Sequence, residues 1–179
     1  MKITNHLLNK AHYIASPNYN HRPDEQDIRL IVIHCISLPA GQFGTPYIQQ
    51  LFCNQLQPQH HPSFESIVQL QVSAHLVINR QGHINQYVPF NQRAWHAGIS
   101  CYQGKTGCND YSIGIELEGT ETTPYTDQQY QQLSQIIKTL IKTYPKLSKQ
   151  QITGHSNIAP QRKTDPGESF DWQRLLKLI

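Results

Sequence analysis

The spacing of hydrophobic positions changes from one stretch of the chain to the next, and those changes mark out its elements. Residues 28–36, IRLIVIHCI, are β-branched and almost wholly apolar, the pattern of a central strand buried on both faces. SLPAGQFGTP follows, rich in glycine and proline, and predicts a loop. Thr45 as N-cap with Pro46 at the first helical position predicts a short helix through Tyr47–Cys53. Residues 54–64, with their prolines and paired histidines, predict irregular structure. Ser73–Asn79 and His83–Pro89, joined by Arg80–Gln81–Gly82, predict a β-hairpin. The glycine-bearing stretch from Phe90 to Tyr111 predicts a long loop, of a length that is usually functional or mobile in a compact domain.

Alternating Ile113, Ile115 and Leu117 make Ser112–Gly119 a second strand. From Thr126 to Tyr144, Tyr130, Leu133, Ile136, Ile137, Leu140 and Ile141 recur at helical spacing and give one apolar face. Thr126 and Gln129 stand where a capping box requires them, and Pro145 stops the helix. Gln151–Thr153 predicts a short strand ending at Gly154–His155, and Asp171–Ile179 a closing helix. This order implies an α/β chain with one domain, a central mixed β-sheet flanked by helices. Residues 1–27 are expected to be an extended polar lead-in and residues 28–179 the domain itself.

Composition narrows the function classes. At 179 residues one ordinary domain is accommodated and a second would be cramped. Hydrophobic residues make up 37% and charged residues 15%, against ~45–50% and ~25% in average chains, and glutamine fills the difference. Lys and Arg are scattered and the formal charge is only +3, which leaves nucleic-acid binding without an electrostatic footprint. No stretch approaches ~18 consecutive apolar residues, so no membrane insertion is expected. Cys35, Cys53, Cys101 and Cys108 form no CxxC pair and do not resemble a disulfide framework. With no apolar run at the N-terminus suited to a signal peptide, a reduced, cytoplasmic protein is expected.

Within this frame, ten histidines invite a search for metal ligands. His34 and His155 each end a predicted strand, and Asp165 follows in RKTDPG. Two imidazoles and a carboxylate form a sound zinc set with a fourth position left for water. The alternative for each histidine is a hydrogen-bonded core residue. Glu116 has opposite parity to Ile115 and Leu117 and is the candidate base; the alternative is a solvent-facing strand residue, with Glu118 as its rival. Lys163, two residues before Asp165, would set a cation beside the metal to stabilise an oxyanion, unless it is simply a solvated loop lysine. Trp95 and His96 suit contacts to a sugar or peptide, or else loop packing; His75 suits a core or ligand-supporting role. Cys35 adjoins His34, but neighbouring strand residues face opposite sides, which argues against a thiol nucleophile.

IVIHCISLPAGQFG, VSAHLVINRQGHINQYVPFNQRAWHAG, CNDYSIGIELEGT, YTDQQYQQL and ITGHSNIAPQRKTDPG together resemble the zinc-dependent N-acetylmuramoyl-L-alanine amidases. They are most similar to the AmpD branch, which hydrolyses 1,6-anhydro-N-acetylmuramyl peptides in cytoplasmic cell-wall recycling. The resemblance runs from about Ile28 to Trp172 and implies the fold shared with peptidoglycan recognition proteins. It implies one Zn2+ per chain on His34, His155 and Asp165, acid–base catalysis by Glu116, and oxyanion stabilisation by Lys163. Tyr47, Trp95 and His96 become substrate-site candidates, and the partner is a small muropeptide met by a monomer. Two residues depart from the pattern, Cys35 where an asparagine is expected and Gln71 where an arginine is expected. Both bear on affinity and peptide preference. The competing readings are a muropeptide-binding module without catalysis and a lytic amidase acting on intact murein.

Overall fold

A computed structural model describes residues 1–179. Its central sheet has six strands: β1 (His12–Tyr13), β2 (Leu30–Ile36), β3 (Leu76–Ile78), β4 (Ile84–Gln86), β5 (Ser112–Glu118) and β6 (Ile152–Gly154). They lie side by side in the order β6-β2-β5-β3-β4-β1. The first four of that row are mutually parallel, β4 runs antiparallel to β3, and β1 adds parallel to β4. This is the predicted mixed sheet.

Side chains alternate across a strand, so each strand sorts its residues between two layers. Ile31, Ile33, Ile113, Ile115 and Leu117 face α2 (Asp127–Thr143), whose Tyr130, Leu133, Ile136, Ile137 and Leu140 close that side. On the opposite face Leu30 and Val32 meet Ala97, Tyr111 and Ile158, while Val77 packs with Ile48, Leu51 and Phe52 of α1 (Tyr47–Phe52). Along β2 the second face is apolar up to Val32, and at His34 it turns polar.

Three local expectations need correction. Thr45 does not cap α1: Pro46 holds the cap position without a side-chain bond, and the Thr45 hydroxyl donates to the Leu38 carbonyl, 2.5 Å away. Closing the loop after β2 turns the Thr45 side chain toward Leu38, and the cap position falls one residue later, on Pro46. The stretch from Phe90 to Tyr111 is also less open than a loop. Gln92–Ala94 pairs with Tyr19–His21, and Cys101–Tyr102 folds back on Lys105–Thr106. Pairs of two or three polar residues carry no hydrophobic period by which to recognise them. Residues 1–27 are not a simple extended lead-in: Ile3–Thr4 and Leu7–Leu8 form a hairpin, Leu8 enters the main core, His12–Tyr13 is an edge strand of the central sheet and Arg22 is buried. No helix is long and apolar enough to cross a membrane.

α2 begins with the predicted capping box: Thr126 Oγ1 accepts from the Gln129 amide and Gln129 Oε1 from the Thr126 amide. Both side chains also reach the sheet. Thr126 Oγ1 donates to the Arg80 carbonyl at 2.7 Å, and Gln129 Nε2 donates to the carbonyls of Ile78 and Glu118. The helix N-terminus is thereby fastened to the carboxyl ends of β3 and β5. Thr126→Ala is expected to cost about 1–2 kcal/mol, read as a lower urea midpoint with an unchanged slope.

Candidate metal centre and active site

Three parallel strands bring the polar residues together at their carboxyl ends, where ligands commonly sit in open α/β sheets. His34 of β2 stands beside Glu116 of β5 in register. β6 ends at Gly154, and His155 opens the one-turn helix α3 (His155–Ile158). Asp165 comes from the loop beyond, which the Ser156 amide holds by donating to the Asp165 carbonyl at 2.9 Å. A Cβ on Gly154 would lie 2.8 Å from Pro166 Cδ, so glycine is what lets that loop close on the strand end.

The three predicted ligands converge. His34 Nδ1 lies 3.0 Å from both His155 Nδ1 and Asp165 Oδ2, and His155 Nδ1 lies 3.2 Å from the same oxygen. His155 Nε2 faces the Ala97 carbonyl at 3.1 Å, which can only accept, so the His155 proton sits on Nε2 and its Nδ1 presents a bare lone pair. A bare nitrogen and a carboxylate oxygen at that distance repel each other unless a cation lies between them. The spacing matches one face of a coordination tetrahedron with bonds of ~2.0 Å, whose edge is ~3.3 Å. Donor chemistry and geometry thus both fit a metal ion.

Glu116 is buried in this layer, and its Oε2 has no hydrogen-bond partner. Burial pushes its pKa well above the usual carboxylate range, the Asp165 charge pushes the same way, and the Lys163 cation pulls it back. Burial also brings His34 down to about 4, against the opposing pull of Asp165, and holds His75 and His96 well below the ordinary histidine value. Asp165 goes the other way: burial raises its pKa, but the two imidazoles facing it, His155 and His34, outweigh that and hold it below the carboxylate range. Lys163 is half-buried on the turn after α3, its amide donating to Ala159.

The remaining candidates divide. Tyr47 packs edge-on against Phe64 at 4.9 Å, and Trp95 Nε1 donates to Asn20 Oδ1 at 2.8 Å; neither touches the three ligands. His96 does touch one, because its Nδ1 lies 2.9 Å from His34 Nε2. His75 is a core residue that accepts from the Gly114 amide at Nδ1 and faces the Gln92 carbonyl at Nε2. Glu118 is neither solvent-facing nor a second base: it is buried and accepts from the amides of Gly44 and Arg80. Cys35 packs toward the main core, and burial pushes its thiol up to about 12.

Arg22, Asn109, Ser112 and Gly114 support the site without having drawn attention in the sequence. Arg22 donates to the carbonyls of Phe90, Asn109, Asp110 and Ser112. Asn109 Oδ1 accepts from the amides of His96 and Ala97. Gly114 alone gave a signal, since glycine inside a strand often marks a close approach.

Glu116 generates a pH dependence whose sign follows from its shift. In metal-free protein the folded chain keeps this proton after the unfolded chain has released it near 4.5. Stability therefore falls as pH rises from that value, by at most about 1.4 kcal/mol per unit, until the folded-state pKa is passed. Glu116→Gln removes the slope. Urea unfolding of both proteins from pH 5 to 8 should show the wild type losing ground to the variant; a constant difference would mean that Glu116 ionises normally.

The site can be set beside known proteins. The family profile described as N-acetylmuramoyl-L-alanine amidase matches residues 24–168. The chain is 55% identical over 172 residues to the 1,6-anhydro-N-acetylmuramyl-L-alanine amidase AmpD of Citrobacter freundii, covering 96% of this chain and 91% of that one. A crystal structure of selenomethionine AmpD superposes with a TM-score of 0.97 at 54% identity, over 100% of this chain and 99% of that one. The amidase AmiD from E. coli, solved with anhydro-N-acetylmuramic acid-L-Ala-D-γ-Glu-L-Lys as substrate, gives a TM-score of 0.63 at 30% identity, covering 85% and 57%. With that match over most of its length, the chain belongs to the N-acetylmuramoyl-L-alanine amidase family.

Proposed function

We infer that this chain is a zinc-dependent amidase that cleaves the bond between 1,6-anhydro-N-acetylmuramic acid and the L-alanine of muropeptides. The observation that carries the reading is the convergence of His34, His155 and Asp165 beside a buried glutamate with a free oxygen. The names of AmpD and of the AmiD complex supply the substrate class. The setting we propose is the cytoplasm, in cell-wall recycling, with the enzyme acting as a monomer.

A zinc ion on these three donors would supply Lewis acidity, polarising the amide carbonyl and bringing the pKa of a coordinated water toward ~7. Glu116 stands beside His34 with Oε2 unpartnered, and it is placed to take the proton of the attacking water as the C–O bond forms at the carbonyl carbon. The same carboxyl then returns that proton to the amine nitrogen as the C–N bond breaks. Lys163 is close enough for its charge to act on both Glu116 and His34, and it stabilises the negative charge that develops on the carbonyl oxygen. Tyr47, at the start of α1, and Trp95, on the segment after Gln92–Ala94, serve as substrate contacts. Cys35 lies across the sheet from His34 and Gln71 is exposed, so neither departure from the family pattern alters the reacting groups.

Purified protein should release the peptide from a 1,6-anhydro-N-acetylmuramyl tripeptide, lose that activity to a strong chelator and recover it with zinc. Glu116→Ala and Lys163→Ala should each lower turnover by ~10²–10³. A folded, zinc-loaded protein that binds the muropeptide without cleaving it would identify a binding module instead.

A further inference from the structure

We propose that His96 is a positioning residue, one that fixes the proton and the orientation of the metal ligand His34; this rests on the zinc reading above. His34 Nδ1 is committed to the donor triad, so a neutral ring must carry its proton on Nε2. That nitrogen faces His96 Nδ1 at 2.9 Å, and the two rings meet edge-on with centroids 5.0 Å apart. His96 can accept there only if its own proton is on Nε2, which faces Ser112 Oγ at 3.1 Å. One assignment satisfies the series: His34 Nε2–H donates to His96, and His96 Nε2–H donates to Ser112.

The surroundings are built to hold His96 in this place. Its ring lies across the backbone of β5, and a Cβ on Gly114 would come within 2.5 Å of its Cγ. Glycine at that strand position is therefore a requirement of the ring. Asn109 Oδ1 accepts from the amides of both His96 and Ala97 and fixes the backbone between them. That dipeptide serves both imidazole ligands, because the His96 ring receives the proton of His34 and the Ala97 carbonyl that of His155. Ligating histidines commonly give their second N–H to a carbonyl, a carboxylate or water, and losing that partner typically costs ~10–100-fold in metal affinity. Here one of the two partners is itself an imidazole. With both ring nitrogens engaged, His96 has none left for the substrate contact expected of it.

His96→Phe keeps a ring in the space and removes the acceptor, whereas His96→Asn puts an amide oxygen close to where Nδ1 stood. Zinc affinity measured by competition with a chromophoric chelator should fall ~10–100-fold in His96→Phe and return to within a few-fold of wild type in His96→Asn. Equal affinity for wild type and His96→Phe overturns the inference. So does equal loss in both variants, which would make the role one of packing. Imidazole nitrogen spectra of the zinc-loaded wild type test the same point without any substitution: His96 should carry its proton on Nε2, and a proton on its Nδ1 overturns the inference. Wild-type protein that takes up no zinc overturns the metal reading itself, an outcome separate from any difference between variants.

Discussion

The parallel register between β2 and β5, which sets Glu116 beside His34, is the constraint on which the site depends. It is enforced by residues that take no part in chemistry. Ile31 and Ile33 on one strand, and Ile113, Ile115 and Leu117 on the other, must all face α2. A slip of one residue would turn these apolar groups outward and drive Glu116 into the core beneath the helix. The apolar parity that builds the core therefore also aims the glutamate and the histidine to the opposite face.

That opposite face has to carry buried polar groups, and an unpaired one costs about 1–3 kcal/mol. The structure meets this with backbone partners. His75 bonds at both ring nitrogens, His155 has the Ala97 carbonyl, and Arg22 spends its guanidinium on four carbonyls with no carboxylate opposite it. Burial lowers Arg22 to about 10, still charged at neutral pH. Its charge adds to burial in keeping His75 and His96 neutral, the state in which an imidazole can accept a hydrogen bond. The polar lead-in that contributes Arg22 is thus part of the scaffold behind the candidate metal ligands.

Much of this was legible in the sequence because it rests on periodicity and on residue type. The two central strands, the capped helix α2 and the mixed sheet follow from hydrophobic spacing. His34, His155 and Glu116 are residue types with few uses near the ends of buried strands, and Asp165 follows in a loop of the same region. Thr45 misled because the helix starts one residue later, with Pro46 at the cap, and only the folded loop turns the threonine toward Leu38. His96 misled in a related way: a histidine beside a tryptophan in a loop suggests a surface contact, and nothing local reveals that the ring turns inward over Gly114. Arg22 left no trace at all, since its partners are carbonyls, which every residue possesses.

The energetics of Glu116 bear on whether such a face is kept for binding or for reaction. A module that only held a muropeptide would have no use for a buried carboxyl with one oxygen unpaired. Glutamine or an apolar residue there would relieve a desolvation strong enough to move the group well above its ordinary pKa. Glu118, two residues along the same strand and also buried, shows the inexpensive alternative: both of its oxygens accept backbone amides, and it serves as a structural tie. Two glutamates of equal parity thus stand in contrasting states, one satisfied and one poised. Shifted and unsatisfied groups concentrate where protons are exchanged, and this one stands next to a His-His-Asp cluster that could hold a metal. That contrast favours an enzyme on the strength of this chain's own residues.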